Sequence, residues 1–133
     1  MSLRRFECLS EQKARQMAPL QLAYIGDTIW DFMIRSELVN RGLNHHHMHI
    51  EAVNAVNANA QASSLAKIIP VLSENELYIV QRGRNAHAKH PVPHNQSPAD
   101  YASSTAFEAL LGYLYLTGQD DRIIEITDMI RGG

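Results

Sequence analysis

The stretch from Leu22 to Ile34, LAYIGDTIWDFMI, limits the fold more than any other part of the chain. Its only charged residues are Asp27 and Asp31, and almost every other position is apolar. A helix that is apolar on nearly all sides is typical of the buried centre of a domain. The sequence therefore predicts a central helix that carries two acidic side chains. At 100° per residue these lie about 40° apart, on one face.

A second apolar stretch has the same peculiarity. Between Tyr101 and Gln119 the only charged residue is Glu108. An ionised carboxylate that is buried without a partner costs about several kcal/mol, so each of these acids needs a proton, a cationic partner or a metal ion. Mg²⁺ prefers oxygen ligands and keeps several waters, so two or three carboxylates suffice to bind it.

Structural roles for the three acids remain open at this point. Asp31 and Arg35 stand four residues apart and could form an ordinary helix salt bridge. Asp27 could be a core acid that hydroxyl groups satisfy, and Glu108 could be a buried acid with a purely structural role. Two glycines favour a shared site, because Gly26 adjoins Asp27 and Gly112 lies one turn after Glu108. A helical glycine costs about 1 kcal/mol relative to alanine, and is best tolerated where another backbone or a ligand comes close.

Length and composition favour one all-α domain over residues 1–133. A chain of 133 residues that is 45% apolar suits a single core, and strand signals are weak throughout. Caps and breakers predict five helices and two long loops. The helices are expected over Pro19 to Arg41, Ile50 to Ile69, Ser73 to Gly83, Ser97 to Gly118 and Asp120 or Asp121 to Arg131, and the loops over Asn44 to His49 and Gly83 to Gln96.

Charge is distributed unevenly along the chain. The net charge of −2 excludes a uniformly basic nucleic-acid binder, but no Asp or Glu occurs from Leu77 to Ala99. Arg82, Arg84 and Lys89 fall in that window, which predicts a local positive surface; a solvated loop is the alternative. The histidines His45, His46, His47 and His49 favour a surface loop or one beside a bound nucleic acid, with a zinc site as the alternative.

Several features bear on the location of the protein. Cys8 is the single cysteine, so no internal disulfide forms, and a reducing cytoplasm fits. No apolar stretch follows the N-terminal arginines, so we expect no signal peptide. The longest mostly apolar run, Ala106 to Leu116, is shorter than the roughly 20 residues that span a membrane.

Three motifs, in order, carry a resemblance to a known family. LAYIGDTIWDFMIR, from Leu22 to Arg35, resembles the signature helix of the ribonuclease III family in its Mini-ribonuclease III version. QRGRNAHAK, from Gln81 to Lys89, resembles the Arg-Gly-Arg-Asn loop of that subfamily. STAFEALLGYLYL, from Ser104 to Leu116, resembles the second catalytic helix. The three motifs occur in the family's order, and the resemblance covers nearly the whole chain.

The resemblance implies a ribonuclease III endonuclease-domain-like helical bundle that works as a homodimer. It implies Mg²⁺-dependent hydrolysis of double-stranded RNA, with Asp27 and Glu108 as the metal-binding catalytic residues. Asp31 is a tentative third metal ligand. Arg82, Arg84, Asn85 and Lys89 are the expected RNA contacts, and Tyr24 and Ile25 are tentative dimer contacts with ordinary intrachain packing as the alternative.

Two departures from the full-length family matter. Ala23 and Thr105 stand where that family has carboxylates, and the Mini-ribonuclease III subfamily shares both departures. The resemblance further implies that the RNA substrate is a precursor of bacterial 23S ribosomal RNA, with a ribosomal protein as the partner that presents it. The competing hypotheses are a non-catalytic double-stranded-RNA-binding module of the same fold and, last, a helical phosphohydrolase that uses the histidines.

Overall fold

The computed structural model describes residues 3–86 and 96–132, and within those ranges the protein is helical with no strand. This confirms the all-α prediction. The principal helices are α1 (Glu11–Arg15), α2 (Pro19–Asn40), α3 (His45–Val56), α4 (Ala58–Ile68), α5 (Glu74–Asn85), α6 (Pro98–Leu116) and α7 (Asp120–Thr127), with a 3₁₀ turn at Ile69–Val71 and a π-helical turn at Asp128–Gly132.

Helix α6 is the centre of the bundle, and α2, α4 and α5 pack around it. Its apolar residues from Ala109 to Leu111 are fully buried, as is Phe107. The Trp30 ring of α2 meets Phe107 edge-on, with 5.0 Å between ring centroids. The Trp30 indole N–H donates to the Ala55 carbonyl oxygen at 3.2 Å, so the aromatic anchor is also satisfied as a hydrogen-bond donor.

The prediction that α2 is the buried central helix is wrong. Only one face of α2 is buried, through residues such as Leu22, Trp30 and Ile34. Tyr24 and Phe32 on its other side are 85% and 56% exposed. The reason is that α6 occupies the centre, so α2 covers it from one side and presents apolar residues outward.

Local capping signals placed most helix ends correctly. The Ser73 Oγ accepts from the Glu76 N–H at 3.2 Å and a Glu76 carboxylate oxygen accepts from the Ser73 N–H at 2.8 Å, which is the predicted capping box. Gly42 and Gly118 follow α2 and α6 with φ of 76° and 77°, a conformation that glycine adopts without strain.

Two asparagines overturn the predicted loop from Asn44 to His49 and the single helix after it. The Asn44 side chain accepts from the His47 N–H at 2.9 Å, so α3 begins at His45 and includes the histidines. The Asn57 side chain accepts from the Ala60 N–H at 2.8 Å and starts α4, which splits the predicted helix in two.

Helix α5 continues past its predicted end at Gly83. A Cβ at Gly83 would crowd the Ala106 Cα, so this glycine serves helix packing and does not stop the helix. The predicted loop from Gly83 to Gln96 therefore starts later, and its residues 87–95 lie outside the described part of the chain. In that described part, no helix has the length and hydropathy that a membrane span requires.

Candidate active site

Helices α2 and α6 touch backbone to backbone at two glycines. A Cβ at Gly26 would overlap the carbonyl oxygen of Glu108, and a Cβ at Gly112 would overlap the carbonyl oxygen of Leu22. Each glycine thus makes room for the backbone of the opposite helix. The expectation that these glycines admit a close neighbour is confirmed, and the neighbour is a backbone.

This crossing brings the side chains of Asp27 and Glu108 together. Glu108 is partly buried and Asp27 is exposed. Burial raises the pKa of Glu108 to about 8, and a hydrogen bond and charge repulsion from Asp27 add to the rise. A hydrogen bond between two carboxyl groups needs a proton on one of them. At neutral pH the pair therefore holds either a shared proton or a cation.

The donor set fits a hard divalent cation. Two adjacent carboxyl groups supply the oxygen ligands that Mg²⁺ prefers, with water completing its coordination. Within residues 3–86 and 96–132, no group of three or more His, Cys, Asp or Glu side chains is arranged to hold a metal ion. The site is accordingly a pair of protein carboxylates that is open to solvent on the Asp27 side.

Asp31 forms the helix salt bridge with Arg35 that their four-residue spacing allows. Its carboxylate pairs with the Arg35 guanidinium four residues later, with N and O 3.1 Å apart. Both groups are partly exposed, so this pair contributes at most about 1 kcal/mol. A direct role of Asp31 as a third metal ligand stays a prediction.

The two tentative dimer contacts differ in their surroundings. Tyr24 is 85% exposed, whereas Ile25 is partly buried against Gly112 of α6. Leu20, one turn before Tyr24, is 41% exposed. Tyr24 and Leu20 therefore form an apolar surface that is available to another molecule, while Ile25 belongs to the α2–α6 contact.

The expected RNA contacts also separate into two kinds. The Arg82 guanidinium donates to the Met17 carbonyl oxygen at 3.0 Å and also to the Arg15 carbonyl oxygen, so it fastens α5 to the segment before α2. Arg84 and Asn85 are exposed at the end of α5. Lys89 lies outside the described residues.

The histidines of α3 gain no support as a metal site. His45, His46, His47 and His49 are all exposed. In the part of the chain that the structure describes, none belongs to a group of three or more metal-ligating side chains. Their placement on a helix surface agrees with the surface interpretation.

Sequence reasoning missed Gln61 of α4, which is 1% exposed and belongs to the same site. Its amide oxygen accepts from the Ser104 hydroxyl, and its amide group acts against the rise in the pKa of Glu108. The available signal was helical spacing. Gln61 shares a face with Leu65 and Ile68, which makes it a polar residue on a buried stripe.

Fold and site together define an all-helical domain with an acidic pair at a helix crossing, an arrangement suited to metal-assisted hydrolysis. A sequence model described as the Ribonuclease III domain matches residues 20–119, a span that contains both Asp27 and Glu108. The chain belongs to the ribonuclease III family of endoribonucleases.

Its relatives confirm the resemblance to the Mini-ribonuclease III subfamily. The chain is 45% identical to Mini-ribonuclease 3 of Symbiobacterium thermophilum, over 83% of this chain and 85% of that protein. It is 40% identical to Mini-ribonuclease 3 of a Thermoanaerobacter species, over 92% and 87%. The crystal structure of protein FN1578 from Fusobacterium nucleatum superposes with a TM-score of 0.82 at 30% identity, over 90% of this chain and 97% of that one.

Proposed function

We propose that the protein is an Mg²⁺-dependent endoribonuclease that cuts double-stranded RNA at the Asp27–Glu108 pair. One observation supports the proposal: at a close glycine-to-glycine helix crossing, the exposed Asp27 is near enough to Glu108 to raise the pKa of its carboxyl group. Like charges this close repel unless a proton or a cation lies between them. Family membership supports RNA cleavage as the reaction that uses such a site.

Glu108 and Asp27 have different roles at this site. When bound, the metal ion supplies the charge that acidifies a water molecule and stabilises the phosphate in the transition state. Glu108, which is partly buried, would hold the cation as a carboxylate after losing its proton to solvent. Asp27, the exposed partner, is the ligand that an RNA backbone can approach. We expect products with a 5′ phosphate and a 3′ hydroxyl.

The same pair argues against a non-catalytic RNA-binding module. Ala23 and Thr105, which replace two family carboxylates, are 7% and 4% exposed. Without those two carboxylates the acidic site is smaller, but Asp27 and Glu108 still lie close together. A protein that only bound RNA would gain nothing from two repelling carboxyl groups on its surface. The third hypothesis, a phosphohydrolase that uses the histidines, has no support in the described residues.

The direct test is cleavage of a labelled RNA hairpin with Mg²⁺ or with a chelator. We expect wild-type protein to cut only with Mg²⁺, and Asp27→Asn to bind the hairpin without cutting it. Asp121→Asn, which removes an exposed acid from the first turn of α7, is the matched control and should cut normally. Normal cleavage by Asp27→Asn would overturn the proposal.

Asp31→Asn tests whether Asp31 is a metal ligand. A higher Mg²⁺ concentration needed for cleavage would support that role. An unchanged Mg²⁺ requirement would show that Asp31 only pairs with Arg35.

The basic end of α5, with Arg82, Arg84 and Asn85, is the proposed RNA contact, and Lys89, outside the described residues, is proposed with it. Double-stranded RNA is recognised mainly through phosphates and 2′-hydroxyls, which suits arginine. Arg84→Ala should weaken RNA binding and lower the slope of log affinity against log salt by about 1, without a change in melting temperature.

Arg82→Ala, by contrast, should also lower the melting temperature, because two backbone carbonyls lose their donor. Lys67→Ala, which removes a positive charge from the last turn of α4, is the control. Filter binding at several salt concentrations measures the slopes. An Arg84→Ala slope equal to that of wild type would remove Arg84 from the contact.

The assembly, substrate and location that we propose follow the family. The protein acts in the cytoplasm as a homodimer that matures precursor 23S ribosomal RNA, and a ribosomal protein presents the RNA to it. The exposed Tyr24 supports a contact between copies at this face of α2. Sedimentation of a purely monomeric protein at micromolar concentration would contradict the dimer.

A further inference from the structure

Gln61 is a polar side chain that is buried in the apolar interior of the helical bundle. It is 1% exposed, and its amide nitrogen has no hydrogen-bond partner of good geometry among the described residues. A buried donor left unpaired costs about 1 to 3 kcal/mol, so such a group calls for an explanation.

Ser104 determines which way the Gln61 amide faces. The Ser104 hydroxyl donates to the Gln61 amide oxygen, so the amide nitrogen must point elsewhere. Ser104 is itself 7% exposed and lies one turn before Glu108 on α6. Residues four apart on a helix are neighbours on one face. A glutamine that is held by Ser104 therefore lies beside the carboxyl group of Glu108.

The interaction between the two side chains agrees with that placement. The Gln61 amide lies within hydrogen-bonding reach of the Glu108 carboxyl group, as expected for an N–H group that faces a carboxylate. Hydrogen bonds in active sites are often poorly aligned before the substrate binds, so the imperfect geometry at the amide nitrogen is compatible with this contact.

We propose that Gln61 is a positioning residue whose amide, oriented by Ser104, donates to the Glu108 carboxylate and turns it toward Asp27 and the cation. This inference rests on the proposed function, because it concerns how the cation site is held. It explains a buried, half-satisfied glutamine that packing alone does not. Groups that orient a metal ligand in this way typically change metal affinity about 10- to 100-fold when removed.

The test uses Gln61→Met, which keeps the length of the side chain but removes its polar atoms. The measurement is the Mg²⁺ concentration that gives half the maximal rise in melting temperature, without RNA. We expect that midpoint to increase about tenfold or more in Gln61→Met. Thr127→Ala, a buried polar change on α7, should leave the midpoint at the wild-type value. An unchanged midpoint in Gln61→Met would overturn the inference.

A second pair of variants separates positioning from packing. Ser104→Ala frees the Gln61 amide, so it should raise the Mg²⁺ midpoint by less than Gln61→Met does. The double variant should be no worse than Gln61→Met alone, because both changes act through one hydrogen bond to Glu108. Effects that add fully would indicate independent packing losses and would overturn the inference. If Gln61→Met does not fold, the Mg²⁺ midpoint of Ser104→Ala tests the inference. A midpoint above that of wild type supports it, and a midpoint equal to that of wild type overturns it.

The two proposals can fail separately. The proposed function is wrong if Mg²⁺ does not change the melting temperature of the wild-type protein and this protein does not cut duplex RNA. A wild-type protein that responds and cuts, with a Gln61→Met variant that responds equally, would remove only the role of Gln61.

Discussion

Replacing Glu108 with glutamine is expected to abolish RNA cleavage and, at pH 8, to make the metal-free protein more stable than wild type. The two effects have opposite signs because the same carboxylate serves function and opposes folding. Burial and the neighbouring Asp27 raise its pKa to about 8 in the folded protein, from an ordinary value of 4.5. Glutamine keeps the shape and hydrogen-bonding capacity but has no charge to bury.

The direction of the pH dependence follows from proton linkage. Between pH 4.5 and about 8 the folded protein binds more protons at Glu108 than the unfolded chain does. The free energy of unfolding therefore falls as the pH rises through that window, by an amount on the order of several kcal/mol at most. Below pH 4.5 the carboxyl group is protonated in both states and wild type keeps this stability.

Urea unfolding at pH 5 and pH 8 with a chelator measures this effect. Wild type should lose more stability between these pH values than Glu108→Gln does. The comparison between the two proteins is needed because the chain's 7 histidines also titrate in this range. Added Mg²⁺ should restore wild type at pH 8 and leave the variant unchanged. Equal pH dependence in both proteins would contradict the raised pKa of Glu108.

Gly26→Ala is expected to destabilise the protein by roughly 3 kcal/mol or more and to abolish cleavage. A methyl group at this position would overlap the Glu108 carbonyl oxygen, and neither backbone can move without separating α2 from α6. Helix propensity alone predicts the opposite sign, a gain of about 1 kcal/mol. The sign of the change therefore distinguishes a packing role from a merely tolerated glycine.

Thermal and urea unfolding of Gly26→Ala provide the measurement. Gly132→Ala is the matched control, because a Cβ there makes only an ordinary contact with Asp128 at 3.8 Å. That variant should unfold within about 0.5 kcal/mol of wild type. Gly112→Ala should behave like Gly26→Ala, since its Cβ would meet the Leu22 carbonyl oxygen in the same way. A Gly26→Ala protein as stable as wild type would show that the helices can separate without cost.

Much of the architecture follows from local sequence. The ends of α2 and α6, the capping box of Ser73 and Glu76, and the conspicuous acids Asp27 and Glu108 could all be read from residue types and spacing. Local hydrogen bonds and backbone preferences decide such features within one or two turns. The same reasoning failed at Asn44 and Asn57, where a capping side chain went unrecognised and α3 and α4 were merged into one helix.

What the sequence by itself determined is therefore the all-α class, the helices α2, α5, α6 and α7, the ribonuclease III motifs and the two acids of the pair. Only the tertiary structure decided that α6 is the central helix, that Arg82 fastens α5 to the segment before α2, and that Gln61 joins the acidic pair. The physical reason is distance along the chain. Local preferences act over a few residues, whereas Gln61 and Ser104 meet across 43 positions because α4 and α6 bury a common surface.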